Sequence, residues 1–333
     1  MGVSSKFSYC ISMGDTIKSN IKSMAITNGV TVINGTDTPL TVLSKINSVT
    51  APIPTGILSI SHNGLYDITS YGSIDITTTY SADYLSIINS TTGISFIDTE
   101  YLINVAGTYA FAGSPFVNVE LPICSRIENV CFYNSFSLET VSLPECKYIG
   151  DTAFGECASL SYISLPKCQS LAGWTFQNCY NLSYAYLPEC ISVDRPFYHC
   201  SNLTSVYMPK LFSASTYLFS GLSYLTSVNI DACTYISNSA FYLCWSLKSI
   251  SLPNCSVIGT YVFYGCSSLS TFIIGTDLSY VATLSNSNAL LGTLLSTTGS
   301  IYVPDSLVET YKNGTNWVYF STRITGISNL PSA

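Results

Sequence analysis

Charge is what this sequence has least of. Asp, Glu, Lys and Arg together make up 9% of the 333 residues, against about 25% in an ordinary soluble domain. Its surface must therefore be covered by Ser, Thr, Asn and Tyr. Basic residues number 12 against 19 acidic ones, a net charge of −7, with no basic run anywhere. Neutralising phosphates takes clustered Lys and Arg, so no nucleic-acid partner is expected. Two histidines leave little room for His-based catalysis or a His-rich metal site. Mean hydropathy is +0.35, yet no stretch approaches the ~18 consecutive apolar residues of a spanning helix, so no membrane insertion is expected. The opening MGVSSKFSYCISMGDTIKSN has no continuous apolar stretch and no small-residue cleavage site, so no export signal is visible. G-x-S-x-G, Walker, H-E-x-x-H and C-x-x-C motifs are all missing; no enzyme, catalytic residue, metal or cofactor is expected.

What the chain does have is thirteen cysteines in a regular pattern. Cys146, Cys157, Cys168, Cys179 and Cys190 follow one another every 11 residues, as do Cys233, Cys244, Cys255 and Cys266. Two interleaved columns of 22-residue period produce this spacing, and a period of that size fixes the architecture. Aligned on Leu-Pro, the units read LPECKYIGDTAFGECASLSYIS from Leu143 and LPKCQSLAGWTFQNCYNLSYAY from Leu165. The next, LPECISVDRPFYHCSNLTSVY from Leu187, is one residue short. Across the junctions each unit fits L-x-x-L-x-L-x-x-N/C, the leucine-rich repeat pattern; Leu160, Ile163, Leu165 and Cys168 are one instance.

The expected fold is a repeat solenoid of 22-residue leucine-rich units, with short parallel strands on one face, a β-rich N-terminal region and a C-terminal cap. Alternating residues such as Ile163 and Leu165 point inward from a strand while Tyr162 and Ser164 point out. The proline after most strands ends the pairing. A large residue (Phe132, Phe154, Phe176, Phe197, Phe219, Phe241, Phe263) then fills each turn. No unit buries its apolar face alone; stacking closes the core. Leu211 and Leu222 replace cysteine in the two columns. Leucine neither ligates metal nor forms a disulfide, so the columns read first as buried thiols acting as small hydrophobes; because Leu211 and Leu222 fall in one repeat, intra-repeat disulfides stay the alternative.

These residues resemble the BspA-type leucine-rich repeat proteins of bacteria. The resemblance is carried by A-F-x-x-C-x-x-L-x-x-I-x-L-P runs at Ala153–Pro166 and Ala240–Pro253, and by the closing Ile301–Ile327 segment. It implies an extracellular or cell-surface protein that binds rather than catalyses.

Three regions are expected: residues 1–95, Ser/Thr-rich and without the period; 96–275, the solenoid; and 276–333, an insertion and cap. In the first, Thr16–Ala25 reads as a short helix and Ile60–Ile76 as a β-hairpin turning at Asn63-Gly64. The latter also resembles a short motif of bacterial surface and phage structural proteins. In the last, Thr276–Ser300 reads as an insertion and Ile301–Val303 as a final strand. Pro304–Ser306 starts a short helix, and Trp317 packs over the end.

Functional candidates lie on the outward strand face. Tyr162, Tyr184, Tyr186 and Tyr207 fall in adjacent repeats within a Ser/Thr field, forming an expected ligand-binding patch, because Tyr supplies apolar area and a hydroxyl with few rotors to freeze. The partner expected is a protein or a glycan. A neighbouring His199–Cys200 pair and an approach of Asp194 to Glu189 are discounted as chemistry. The functional expectation is a non-catalytic adhesion-type binding protein, the alternative a structural or receptor-binding component of a prophage particle.

Overall fold

The computed structural model describes residues 57–60, 73–76, 94–97, 103–114 and 116–332. Each 22-residue unit makes one coil with two short strands. Numbered in chain order, the front strands are β3 (Ile94–Ile97), β5 (Phe116–Glu120), β7 (Thr140–Ser142), β9 (Tyr162–Ser164), β11 (Tyr184–Tyr186), β13 (Ser205–Tyr207), β15 (Ser227–Asn229), β17 (Ser249–Leu252), β19 (Thr271–Ile274), β21 (Ser300–Val303) and β22 (Ile324–Gly326). The back strands are β1 (Ile57–Ile60), β2 (Ser73–Ile76), β4 (Ile103–Ala106), β6 (Arg126–Ile127), β8 (Tyr148–Ile149), β10 (Ser170–Gly173), β12 (Ser192–Asp194), β14 (Ser213–Ala214), β16 (Tyr235–Ile236), β18 (Val257–Ile258) and β20 (Thr283–Leu284). Every strand pairing is parallel and joins neighbouring coils, as Tyr184 opposite Tyr162 and Ser205 opposite Tyr184 illustrate. The parallel front face is as expected. The back ladder is additional, and at two to four residues per strand it is too short to show periodicity in sequence.

One continuous core runs through the described coils. Inward Leu, Ile and Val of the strands meet the Phe column, whose rings stack at 5.0 Å (Phe132–Phe154), 5.5 Å (Phe154–Phe176) and 5.1 Å (Phe241–Phe263). To drive each Phe inward, residues on either side of it take left-handed backbone: Val130 and Asn134 around Phe132, Thr152 and Glu156 around Phe154. For non-glycine residues this costs roughly 1–2 kcal/mol each. The buried ring offsets that cost.

All twelve described cysteines are buried, and the two columns use their S–H groups differently. In the second column each thiol reaches back to the Phe carbonyl of the preceding coil: Cys157 to Phe132, Cys179 to Phe154, Cys200 to Phe176 and Cys266 to Phe241, at 3.0–3.2 Å. In the first column the acceptor lies two residues ahead, as from Cys146 to Tyr148. Ser135 holds a second-column place and donates to the Phe111 carbonyl in the same way, 3.1 Å away.

β1 and β2 pair in parallel, Ile57 opposite Ser73, and β2 pairs with β4, so both lie in the back ladder. The Asn63-Gly64 turn of the expected hairpin lies outside the described residues. One segment differs from the sequence expectation. Residues Thr276–Ser300 are not an excursion. β20 pairs with β18, and β21 with β19, Thr271 opposite Ser300. They form a longer coil in which Leu290 is buried in the Phe place and Thr293 is buried in the thiol place. These substitutions hid the repeat. The end is closed as expected by a short helix α1 (Val308–Lys312) and by Trp317. Trp317 Nε1–H donates to the Ala282 carbonyl at 2.7 Å, and the Tyr311 hydroxyl accepts from the Ala282 amide at 3.0 Å. A strand the sequence reading missed, β22, pairs with β21. The expected helix at Thr16–Ala25 lies outside the described residues, as does His62.

Candidate functional site

The outward residues of β9, β11 and β13 bring the four candidate tyrosines onto one surface, because these strands and β15 form one four-stranded parallel sheet. Tyr162 and Tyr184 lie directly opposite each other and are 45% and 40% exposed. Tyr184 and Tyr186 sit on one strand with rings 6.5 Å apart, and Tyr186 faces Tyr207 across strands at 5.2 Å and 11°. Three of the four rings therefore form a stack. Tyr162 is beside it in register without a ring contact to Tyr184. In such a stack the inner ring has its faces covered, so the surface displays ring edges and hydroxyls.

The strand entry below this row is a hydroxyl ladder. Ser183 donates to the Ser161 carbonyl at 2.9 Å, Thr204 to Ser183 at 2.9 Å, and Thr226 to Thr204 at 3.1 Å. Above it, the third residue of four successive units alternates in charge: Glu145, Lys167, Glu189, Lys210. They pair as Lys167 with Glu145 and Lys210 with Glu189, both at 2.6 Å. Exposed pairs of this kind contribute little to stability, in the range of about 0–1 kcal/mol. Their effect is to leave the rim of the tyrosine row polar and locally neutral. This rim was missed in the sequence, although the Glu-Lys-Glu-Lys alternation at a fixed place in the unit was a legible signal.

Groups discounted for chemistry are also engaged otherwise in the structure. Cys200 Sγ points inward to the Phe176 carbonyl, while His199 stacks on Tyr198 with centroids 3.9 Å apart. Asp194 pairs with Arg195 and Glu189 with Lys210, so those carboxylates are not brought together. Burial pushes the thiols up, Cys190 and Cys233 to about 11, Cys146 and Cys255 to about 12, which keeps them protonated and poor nucleophiles. Among the described residues no group of three or more His, Cys, Asp or Glu could hold a metal ion. No helix among them is long and apolar enough to cross a membrane.

Against known proteins, the BspA type leucine rich repeat region matches in six copies, over residues 125–231 and 191–297, together just over half of the chain. The chain belongs to the BspA-type leucine-rich repeat family. No curated protein sequence matches it. Among solved structures, it is similar to a leucine-rich repeat protein from Bacteroides ovatus, at 22% identity and a TM-score of 0.57 over 77% of this chain and 66% of that one. A leucine-rich repeat protein from Eubacterium ventriosum aligns at 22% identity and TM-score 0.47, covering 64% of this chain and 63% of the other. A leucine rich cell surface protein from Faecalibacterium prausnitzii aligns at 18% identity and TM-score 0.28, covering 68% and 82%. The chain thus spans just under two thirds of the Bacteroides ovatus protein's length. The Bacteroides ovatus likeness shows a shared fold; BspA-type membership adds a family of binding scaffolds.

Proposed function

We propose that this BspA-type protein is a non-catalytic, adhesion-type binding protein of the cell surface or extracellular space, recognising its ligand through Tyr162, Tyr184, Tyr186 and Tyr207. The observation that carries this reading is the tyrosine row on the front sheet, with Tyr162 and Tyr184 exposed and Tyr186 and Tyr207 half-buried, ringed by hydroxyls and self-neutralised charges. Tyr is enriched at protein interfaces because it combines apolar area with a polar tip. Between the two ligand classes expected, the stacking favours a protein. A sugar ring packs on an open aromatic face, whereas Tyr186 lies between two rings. Edges and hydroxyls suit the backbone and side-chain polar groups of a polypeptide. The surface location rests on family membership. The prophage alternative has no support in the comparisons, and β1 and β2, from the segment that suggested it, pair within the back ladder.

The test is a binding screen of the chain against extracellular-matrix proteins and a glycan array, with the quadruple alanine variant of the four tyrosines alongside. Binding to a matrix protein that the variant loses is the expected result. Binding retained by the variant places the site elsewhere, and a glycan-only signal overturns the protein assignment.

A further inference from the structure

Between the coil that begins at Leu187 and the one that begins at Met208, the back of the solenoid is not stitched together. In neighbouring coils three amides flanking the inward Phe donate across to the next coil: Thr152, Phe154 and Glu156 reach the carbonyls of Gly173, Thr175 and Gln177 at 2.8–3.0 Å. Tyr217, Phe219 and Gly221 do the same to Asn238, Ala240 and Tyr242 at 2.7–3.3 Å. The equivalents Arg195, Phe197 and His199 make no such bond, and β12 does not pair with β14; the back sheet stops at β12 and restarts at β14.

Four further features coincide there. The Phe stack is interrupted: Phe176–Phe197 is 5.9 Å and Phe219–Phe241 is 4.8 Å, but Phe197 and Phe219 make no ring contact. Leu222 stands in the thiol column, so no S–H reaches the Phe197 carbonyl as Cys200 reaches that of Phe176. Ser215 Oγ is buried without a partner. The unit from Leu187 is the short one, and β10 already needs a bulge, skipping Ala172, to pair with β12. A coil one residue short cannot keep register with a full coil behind it, which explains the break.

The front of the same coil is intact. β13 pairs with β11 and with β15, and Leu187 and Met208 amides donate to Tyr207 and Asn229 carbonyls at 2.9 and 2.8 Å. Elsewhere the pattern is reversed: the front sheet is interrupted between β7 and β9 and between β15 and β17, where the back ladder is continuous.

We propose that the β12/β14 seam is a hinge that regulates the tyrosine face. β13, directly in front of the open seam, is the pivot. Opening the back about it tilts β11 and β15 towards each other, so the front sheet closes around a ligand seated on Tyr184, Tyr186 and Tyr207. The functional consequence rests on the binding reading above; the hinge itself does not.

Two measurements on the full chain, neither using a ligand, test it. In hydrogen exchange, the Arg195, Phe197 and His199 amides should exchange at least about tenfold faster than those of Thr152, Phe154 and Glu156, because only local opening energy protects them. Equal protection overturns the seam. For motion, nitroxide labels at Lys147→Cys and Tyr235→Cys, in a Cys10→Ser background, straddle the seam. Their distance distribution should be broad in this chain and should narrow when one alanine is inserted between Val193 and Asp194 together with Pro196→Thr. A distribution already as narrow without the repair overturns the hinge. Should the repaired variant not fold, a single narrow peak in the unrepaired chain overturns it alone. Loss of ligand binding in the tyrosine variants with the hinge intact, or the converse, separates the two proposals.

Discussion

The ring of Tyr186 lies 5.2 Å from that of Tyr207, at 11° between planes, across two parallel strands whose backbones are also bonded. The contact joins residues on the outer face, away from the core. Tyr184→Ala and Tyr207→Ala should therefore each cost at most about 1 kcal/mol of stability, the scale of a cross-strand pair. Both should weaken binding to a matrix-protein ligand. Thermal unfolding beside a binding isotherm checks this; a variant that unfolds identifies the row as a structural staple instead.

The thiol columns make a second test. Cys179 Sγ is buried and bonds to the Phe154 carbonyl at 3.1 Å. Cys179→Ala should destabilise by about 1–2 kcal/mol through a small void and the lost S–H bond to a carbonyl that then keeps only the Cys157 amide. Cys179→Ser should cost less, because Ser135 already performs the same bond to Phe111. Urea midpoints of the two variants give the order, and Ser worse than Ala contradicts the ladder.

Alkaline pH should unfold this protein cooperatively. Burial raises Cys190 and Cys233 from the ordinary 9.0 to about 11, and Cys146 and Cys255 to about 12. The folded state holds protons that the unfolded chain releases from pH 9 upward. Stability is therefore fully present below pH 9 and is lost as pH rises towards 11–12, each thiol contributing a slope of up to about 1.4 kcal/mol per pH unit. Denaturant titrations at pH 8, 9 and 10 should show a flat first step and a steep second one. The same burial predicts no reaction with a thiol reagent at the twelve described cysteines until the chain unfolds.

At the carboxy end, Tyr311→Phe removes the hydroxyl that accepts from the Ala282 amide. A buried amide left unpaired costs about 1–3 kcal/mol. The loss should appear in the melting temperature, with the front face and its binding unchanged.

The cysteine columns were legible as core positions because leucine replaces cysteine at one place in each; the paired loss left intra-repeat disulfides open, and the structure shows buried thiols bonded to carbonyls instead. The Phe column and the inward strand residues followed from the same period. Residues 276–300 were not legible as a coil, since Leu290 and Thr293 stand where Phe and Cys stand elsewhere. Tyr162, Tyr184, Tyr186 and Tyr207 could be placed on one face from alternation alone. That only three of their rings stack depends on strand twist and side-chain rotamers.

The sequence by itself determined the repeating unit and which residues of it face inward. Each of these is carried by a local pattern of side-chain chemistry within 22 residues. Only the tertiary structure decided the second ladder, the stack of Tyr184, Tyr186 and Tyr207, and the open seam behind β13. Those depend on the register between residues a full coil apart, and a deletion of one residue in the unit from Leu187 shifts that register on the back while the front strands still meet.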